Sequence, residues 1–150
     1  MQYKELHHFM CIYAYMDEIL IECIRCVEKE ISNYYKENIY QNSLYIELNM
    51  RGYLVQTEVI VPVFYKNVYV GFERADIVVF DKSGNILKVL ELKSQNTRLG
   101  PKEINQLRKY LINLKCDSGI LVNFYDNLEI IKVNKTSHQK ISNDMPLLQS

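Results

Sequence analysis

The chain has 150 residues, of which 48% are hydrophobic and 24% charged, and its formal net charge is zero. This size and composition predict one globular domain with a real core. No apolar run reaches the roughly 18–20 residues that span a bilayer, and the amino terminus lacks the pattern of a signal peptide. The sequence therefore predicts an intracellular, cytoplasmic protein without a membrane partner. Zero net charge by itself does not indicate a nucleic-acid partner.

The first third of the chain predicts two helices. Apolar residues recur at near-helical spacing over residues 4–31. Ser32 and Asn33 are interpreted as a break and as the N-cap of a second helix over residues 34–50, which ends before Gly52.

Two features of the first helix could indicate metal or redox chemistry. Cys23 and Cys26 have the spacing of a Cys-x-x-Cys site. No second such pair exists, and both residues fall within the helical pattern, which favours reduced cysteines of the core or helix face. His7 and His8 are interpreted as surface residues and not as ligands.

The middle of the chain predicts three strands. Residues 55–65 are rich in β-branched side chains, and Pro62 favours an edge position or a bulge. Residues 71–94 predict two more strands, which a turn at residues 82–85 connects.

The last third predicts a helix and two strands. Pro101 lies in the first turn of a helix of about 14 residues, and apolar runs at 119–124 and 128–133 predict short strands. The order of elements predicts a single α/β domain over residues 1–133, with a mixed central sheet flanked by helices. Residues 134–150 carry little pattern and are expected to form a C-terminal tail.

Charged residues interrupt the apolar runs of the second and third strands. If residues 83 and 84 form a two-residue turn, Asp76 faces Glu91. Directly opposed residues have Cβ atoms roughly 4.5–5.5 Å apart, so the two carboxylates repel unless they share a divalent cation or a proton. Lys93 points to the same face as Glu91. A three-residue loop with a bulge would shift this register by one.

Two acids and a lysine at the end of a sheet suit metal-assisted phosphodiester hydrolysis, in which a cation neutralises the phosphate and activates water. The alternative that spacing leaves open is a structural Asp–Lys or Glu–Lys pair. Residues 88–115 carry seven cationic side chains against two acidic ones, which favours either a contact with a phosphate backbone or a solvated helix face. The candidates for the phosphate contact are Arg98, Lys102, Arg108 and Lys109.

Six short motifs occur in order between Ile21 and Val133. They are Glu37 with Tyr40, Tyr65-Lys66, Arg74-Ala75-Asp76, Glu91-Leu92-Lys93, Gln106 with Tyr110-Leu111, and Gly119 to Phe124. Together they resemble the PD-(D/E)XK nuclease superfamily and, within it, the GxxExxY-type family. One departure is the segment 32–34, which replaces the glycines of the Gly-Pro-Gly turn that precedes the glutamate in that family.

The resemblance implies a restriction-endonuclease-like core with a nuclease site. The implied ligands of Mg²⁺ or Mn²⁺ are Asp76, Glu91, the Leu92 carbonyl and Glu37, the last of which would support this metal or a second one. Lys93 is implied to orient the water, and Gln106 to hold either the substrate or Lys93.

The expected function is that of a divalent-metal-dependent nuclease whose partner is nucleic acid, DNA more than RNA, and a homodimer is left open. One alternative is a catalytically silent nuclease-like scaffold that binds nucleic acid or mediates assembly. DNA binding without divalent-dependent cleavage would favour this scaffold. A third interpretation is a purely structural interaction protein, which twelve tyrosines and zero net charge suggest.

Overall fold

A computed structural model of the protein describes residues 2–143, apart from the side chains of residues 2, 3, 6 and 8–10. The side chain of His8 and residues 144–150 of the expected tail therefore lie outside the described part. The described elements are α1 Gln2–Glu30, α2 Glu37–Met50, β1 Leu54–Tyr65, β2 Val68–Phe80, β3 Ile86–Lys93, α3 Pro101–Asn113, β4 Ser118–Asn123, β5 Glu129–Asn134 and β6 His138–Lys140. None of these helices combines the length and the apolarity that crossing a membrane requires.

The six strands form one mixed sheet in the order β1-β2-β3-β4-β5-β6. β3 and β4 are parallel, whereas the other neighbouring strands are antiparallel. A parallel pair needs a crossover connection, which α3 provides. The predicted α/β architecture with a mixed sheet is confirmed. The expected edge position of Pro62 is also confirmed, because β1 is an edge strand.

Helices cover both faces of the sheet, and each face has its own apolar core. Leu20 of α1 and Leu44 of α2 are fully buried in the first, which we call the α1–α2 core. Leu107 of α3 is fully buried in the second, the α3 core. Gly119 allows α3 and β3 to approach β4 closely, since a Cβ at this position would lie 2.5 Å from the Val89 carbonyl oxygen.

A buried ion pair fastens α1 to the sheet. Lys88 is 1% exposed, and its Nζ lies 2.6 Å from Asp17 Oδ1 and 2.6 Å from Ser118 Oγ. The geometry at Asp17 Oδ1 fits an ion pair and not an aligned hydrogen bond. A buried lysine is tolerated only with such partners. Counting Lys88 in a basic surface segment is therefore wrong, because Asp17 neutralises its charge inside the protein.

Two elements differ from the sequence prediction. α2 begins at Glu37 and not at residue 34, and its N-cap is Lys36, which makes no side-chain capping bond. Ser32 and Asn33 are therefore not the N-cap of α2. Strand β6 lies in the segment that carried no pattern, and it adds a sixth strand by pairing with β5.

Candidate active site

Asp76 and Glu91 lie opposite each other on the neighbouring strands β2 and β3. Ile77 pairs with Leu90 in the antiparallel register, so one step further along the strands Asp76 falls opposite Glu91. The pairing expected from the sequence is confirmed at this position.

The turn that sets this register is not the predicted two-residue loop. The Asp81 N–H donates to the Asn85 carbonyl at 2.9 Å, which encloses a three-residue loop, 82–84. The register then shifts by one residue between Val79 and Phe80. The longer loop and the bulge offset each other. The expected pairing of Asp76 with Glu91 thus survives an incorrect turn prediction.

Both carboxyl groups are buried, with Asp76 8% and Glu91 3% exposed. The Leu92 N–H donates to Asp76 Oδ2 at 2.7 Å, whereas Glu91 Oε2 has no hydrogen-bond partner among residues 2–143. Burial, and then the adjacent Asp76 carboxylate, raises the pKa of Glu91 well above its ordinary value of 4.5. Near neutral pH and without a cation, a proton on Glu91 therefore relieves the repulsion.

Helix α3 brings a chain of polar groups to this pair. Lys93 Nζ donates to Gln106 Oε1 at 3.0 Å, and Gln106 Nε2 donates to Tyr110 Oη at 3.0 Å. Burial, and then the charge of Glu91, raises the pKa of Tyr110 to about 12, so its hydroxyl stays protonated at neutral pH. The sequence motif contained Tyr110 without assigning it a role. Its spacing of four residues from Gln106 is the signal that places both on one helix face.

Glu37 reaches the site from the first turn of α2. Partial burial, and then the charge of Asp76, raises the pKa of Glu37, whereas the charge of Lys93 lowers it. The turn before Glu37 holds Tyr34 at φ 71°, in the left-handed region that favours glycine. Tyr34 Oη donates to Asp126 Oδ1 at 3.1 Å, which helps to hold the turn without a glycine. The departure at residues 32–34 thus leaves Glu37 within electrostatic reach of the pair.

Glu58 is a further carboxylate at the site, which the sequence analysis missed. The β1–β2 register places it opposite Asp76, on the strand edge away from Glu91. Its φ of 53° is uncommon for a non-glycine residue and departs from strand geometry. Its charge adds to the raised pKa of Glu37. No local sequence signal predicts a left-handed residue here, because a lone glutamate in a β-branched strand is typical of a solvent-facing position.

The alternation of side chains inverts at the pair Glu58–Asp76. Ile77 belongs to the α1–α2 core, whereas Ala75, two residues earlier on β2, belongs to the α3 core. Residues two apart on a regular strand share one face, so β2 turns over at Asp76. Asp76 consequently lies at the junction of the two layers and not within either apolar core.

The available donors suit a hard divalent cation. Carboxylate and carbonyl oxygens are the ligands that Mg²⁺ and Mn²⁺ prefer, and Glu91 Oε2 is a buried acceptor that a cation would satisfy. Within residues 2–143, no three side chains of His, Cys, Asp or Glu are grouped closely enough to hold a metal. The arrangement therefore fits a cation that keeps several waters, as Mg²⁺ does.

The four cationic residues expected to contact phosphate do not share one face. Lys102 and Lys109 are exposed and seven residues apart on α3, so they form one stripe. Arg98 is exposed in the loop before α3. Arg108 donates to the Asn134 carbonyl at 3.3 Å and is therefore engaged by the end of β5.

The remaining sequence candidates lie away from these carboxylates. Cys23 is fully buried in the α1–α2 core, and burial raises the pKa of its thiol to about 11, so it is a protonated core cysteine at neutral pH. Cys26 is half-buried, and His7 is exposed on α1. A cavity of about 370 Å³ beside the ends of β3 and β4 is lined by loop residues and by residues of β4, β5 and β6, and the amide of Asn123 in its wall is already bonded to Gln95 and Tyr125.

Comparisons with known proteins agree with the fold. The model of the PD-(D/E)XK nuclease superfamily matches residues 14–134. The solved structure described as "Crystal structure of SSO0001" is similar in fold, with 21% sequence identity and a TM-score of 0.50. The similarity covers 66% of this chain and 50% of that one, so the chain spans half the length of the solved relative. Among curated proteins there is no match.

Glu91→Gln should stabilise the metal-free protein more at pH 8 than at pH 5. The folded wild type holds a proton on Glu91 that the unfolded chain releases above its ordinary pKa of 4.5, so wild-type stability falls as pH rises from about 5. Glutamine has no such proton. The melting temperature of Glu91→Gln minus that of wild type, measured in EDTA, should be at least about 3 °C larger at pH 8 than at pH 5. An equal difference at both would show that Glu91 is not buried in its protonated form.

Glu58→Gly should be more stable than Glu58→Ala by about 1 kcal/mol, because only glycine adopts a left-handed φ without strain. Urea unfolding of the two variants and the wild type measures this difference. Both variants lack the carboxylate, so they are matched controls for any loss of metal affinity. Equal stability of the two variants would mean that the backbone at residue 58 is not left-handed.

Proposed function

The chain belongs to the PD-(D/E)XK nuclease superfamily, and we propose that it is a divalent-metal-dependent nuclease that hydrolyses phosphodiester bonds of DNA. The observation that carries this proposal is the buried pair Asp76–Glu91, in which one oxygen of Glu91 has no hydrogen-bond partner among the described residues. Burying adjacent carboxylates is costly without a compensating charge, and Lys93 follows two residues later. Such a set serves cation-assisted hydrolysis.

The proposed direct ligands of Mg²⁺ or Mn²⁺ are Asp76, Glu91 and the Leu92 carbonyl. Glu37 is proposed to support this metal through a bound water, or to support a second one, because no three carboxylates among the described residues are grouped closely enough to bind one ion together. When bound, the cation would neutralise phosphate charge and make a bound water more acidic. Asp76 Oδ2 is held in place by the Leu92 N–H, which orients this ligand before any cation arrives. The charge of Glu58 helps to raise the pKa of Glu37. We assign Glu58 to the water shell of the cation.

Lys93 is proposed to position the attacking water. One of its three N–H donors is used on Gln106 Oε1 at 3.0 Å, which leaves two donors for water or phosphate. Gln106 in turn donates to Tyr110. Gln106 is therefore assigned to holding Lys93, and Tyr110 to holding Gln106.

The finer family assignment and the phosphate contacts are also proposals. The motifs with Glu37 and Tyr40 and with Gln106 and Tyr110 support membership of the GxxExxY type. The nuclease domain is proposed to span residues 1–133, with 134–150 as a tail whose first part adds β6. For the phosphate backbone, the exposed stripe of Lys102 and Lys109 with Arg98 before it is the best-supported contact, and Arg108 contributes less because β5 engages it.

Lys93→Ala should reduce cleavage by about 10²-fold or more, the usual scale for a group that handles the proton or nucleophile, while leaving the melting temperature nearly unchanged. Plasmid and single-stranded DNA, incubated with Mg²⁺, Mn²⁺ or EDTA, provide the assay. Lys82→Ala is the matched control, since it removes an exposed lysine outside both the carboxylate site and the proposed phosphate contacts. If Lys93→Ala cuts as fast as wild type, the proposed role is wrong. If wild type binds DNA but never cuts it, the protein is a silent scaffold.

Reversing Lys102 and Lys109 to glutamate should weaken DNA binding and flatten its salt dependence by about 1.4–1.8 in the slope of log K against log salt, because each phosphate contact contributes roughly 0.7–0.9. Lys82→Glu is the control, because Lys82 is exposed in the β2–β3 turn and the substitution makes the same change of charge per residue at a different place. An unchanged slope in the double variant would make this stripe a solvated helix face.

A further inference from the structure

One face of the β1–β2 hairpin is exposed and rich in aromatic rings. Directly paired residues share a face of the sheet. The pairs on this face are Ile60 with Arg74, Pro62 with Phe72 and Phe64 with Tyr69. We call these six residues the aromatic face. The exposed fractions of Ile60, Phe64, Tyr69 and Phe72 are 56%, 59%, 55% and 48%, and contiguous exposure of this kind marks a binding surface more than scattered apolar residues do.

The opposite face of the same hairpin belongs to the protein core. Val61 and Ala75 are fully buried in the α3 core. The α3 core therefore packs against the hairpin at Val61 and Ala75 and supports the aromatic face from the opposite side of the sheet.

The charge of the hairpin favours an anionic partner. Between Glu58 and Glu73 the one charged residue is Lys66, at the turn. Its ammonium lies 5.6 Å from the centroid of the Tyr65 ring. Residues 60–74 thus carry two cations, Lys66 and Arg74, and one acid, Glu73, which pairs with Val61 on the opposite face. A phosphate-bearing strand meets attraction here, whereas a purely apolar protein partner gains nothing from this arrangement.

The rings of the aromatic face are arranged for stacking. The Arg74 guanidinium lies 5.6 Å from the centroid of the Phe72 ring. Phe64 and Tyr69 meet edge to face, with centroids 6.1 Å apart. Exposed rings with a cation beside them are the means by which proteins hold unpaired bases, because every base has a π-face that stacks on an aromatic side chain.

The aromatic face leads to the carboxylates. Arg74 precedes Asp76 by two residues on β2, which is roughly 7 Å along the strand. A nucleic-acid strand that lies on the aromatic face therefore comes within two residues of Asp76, at the point where β2 turns over.

We propose that the aromatic face binds unpaired nucleobases by stacking, and that the protein selects single-stranded DNA or the single-stranded part of a junction. This inference rests on the proposed nuclease function and adds the form of the substrate. In a duplex the π-faces of the bases are already covered by their neighbours, so duplex DNA gains no stacking here.

Fluorescence anisotropy tests the proposal with a labelled single-stranded oligonucleotide and the duplex of the same sequence. EDTA and an Asp76→Asn background prevent cleavage. Adding Phe64→Leu and Phe72→Leu should weaken binding of the single strand about 10-fold or more and leave duplex binding unchanged. Leu54→Ala is the control: it removes exposed apolar surface from β1 outside the aromatic face, and should change binding less than about 2-fold.

A fluorescent reporter tests the proposal even if the variant with Phe64→Leu and Phe72→Leu folds poorly. The chain has no tryptophan, so Phe72→Trp places a single one on the aromatic face and preserves a ring. Single-stranded DNA should quench its emission, and duplex should not. Equal quenching by both DNAs, no quenching, or an equal loss of binding in Leu54→Ala would overturn the proposal.

The oligomeric state shows whether the aromatic face binds DNA or a second copy of the chain. A wild-type dimer in light scattering that Phe64→Leu with Phe72→Leu dissociates would assign the aromatic face to self-association and overturn the proposal. Binding is measured without divalent metal, and cleavage separately. A failure of stacking therefore leaves the nuclease proposal standing, and an absence of cleavage leaves the stacking result standing.

Discussion

Two carboxylates buried side by side are the constraint on which this structure depends. Asp76 and Glu91 are opposed across β2 and β3, and both are nearly inaccessible to water. Two negative charges on directly opposed residues cannot both persist in a poorly solvated site, so a proton or a cation has to compensate one of them. The Leu92 N–H satisfies Asp76, but Glu91 Oε2 has no partner among the described residues. Cores on both faces of the sheet offset this local cost and hold the acids together.

The backbone around these acids is strained in two places. Tyr34 and Glu58 both have left-handed φ angles that favour glycine. Tyr34 lies in the turn before Glu37, and Glu58 lies opposite Asp76. Strained residues cluster where a side chain has to be aimed at the expense of stability. The arrangement of Glu37 and Glu58 around Asp76 is consistent with selection for the site and not for stability.

Much of the fold follows from the sequence, because hydrophobic periodicity and turn residues decide it locally. The helix from Pro101 was predictable in this way. The opposition of Asp76 and Glu91 was expected as well, but the loop and the bulge that set it differ from the predicted turn. Lys88 was not, since only the packing of α1 reveals that Asp17 neutralises it. Glu58 was missed because a left-handed residue in a strand has no sequence signature other than glycine. Strand β6 was missed because its three exposed residues owe their conformation to β5 and not to their own pattern.

We propose that Asp76 and Glu91 are held together in order to bind a divalent cation. Calorimetric titration of Mn²⁺ at pH 7, repeated in buffers of different ionisation enthalpy, tests this claim most directly because it counts protons as well as ions. We expect wild type to bind Mn²⁺ with release of about one proton, since the cation displaces the proton on Glu91. Glu91→Gln should bind more weakly and release none. Absence of binding at millimolar Mn²⁺, or binding with no proton released by wild type, would contradict the account.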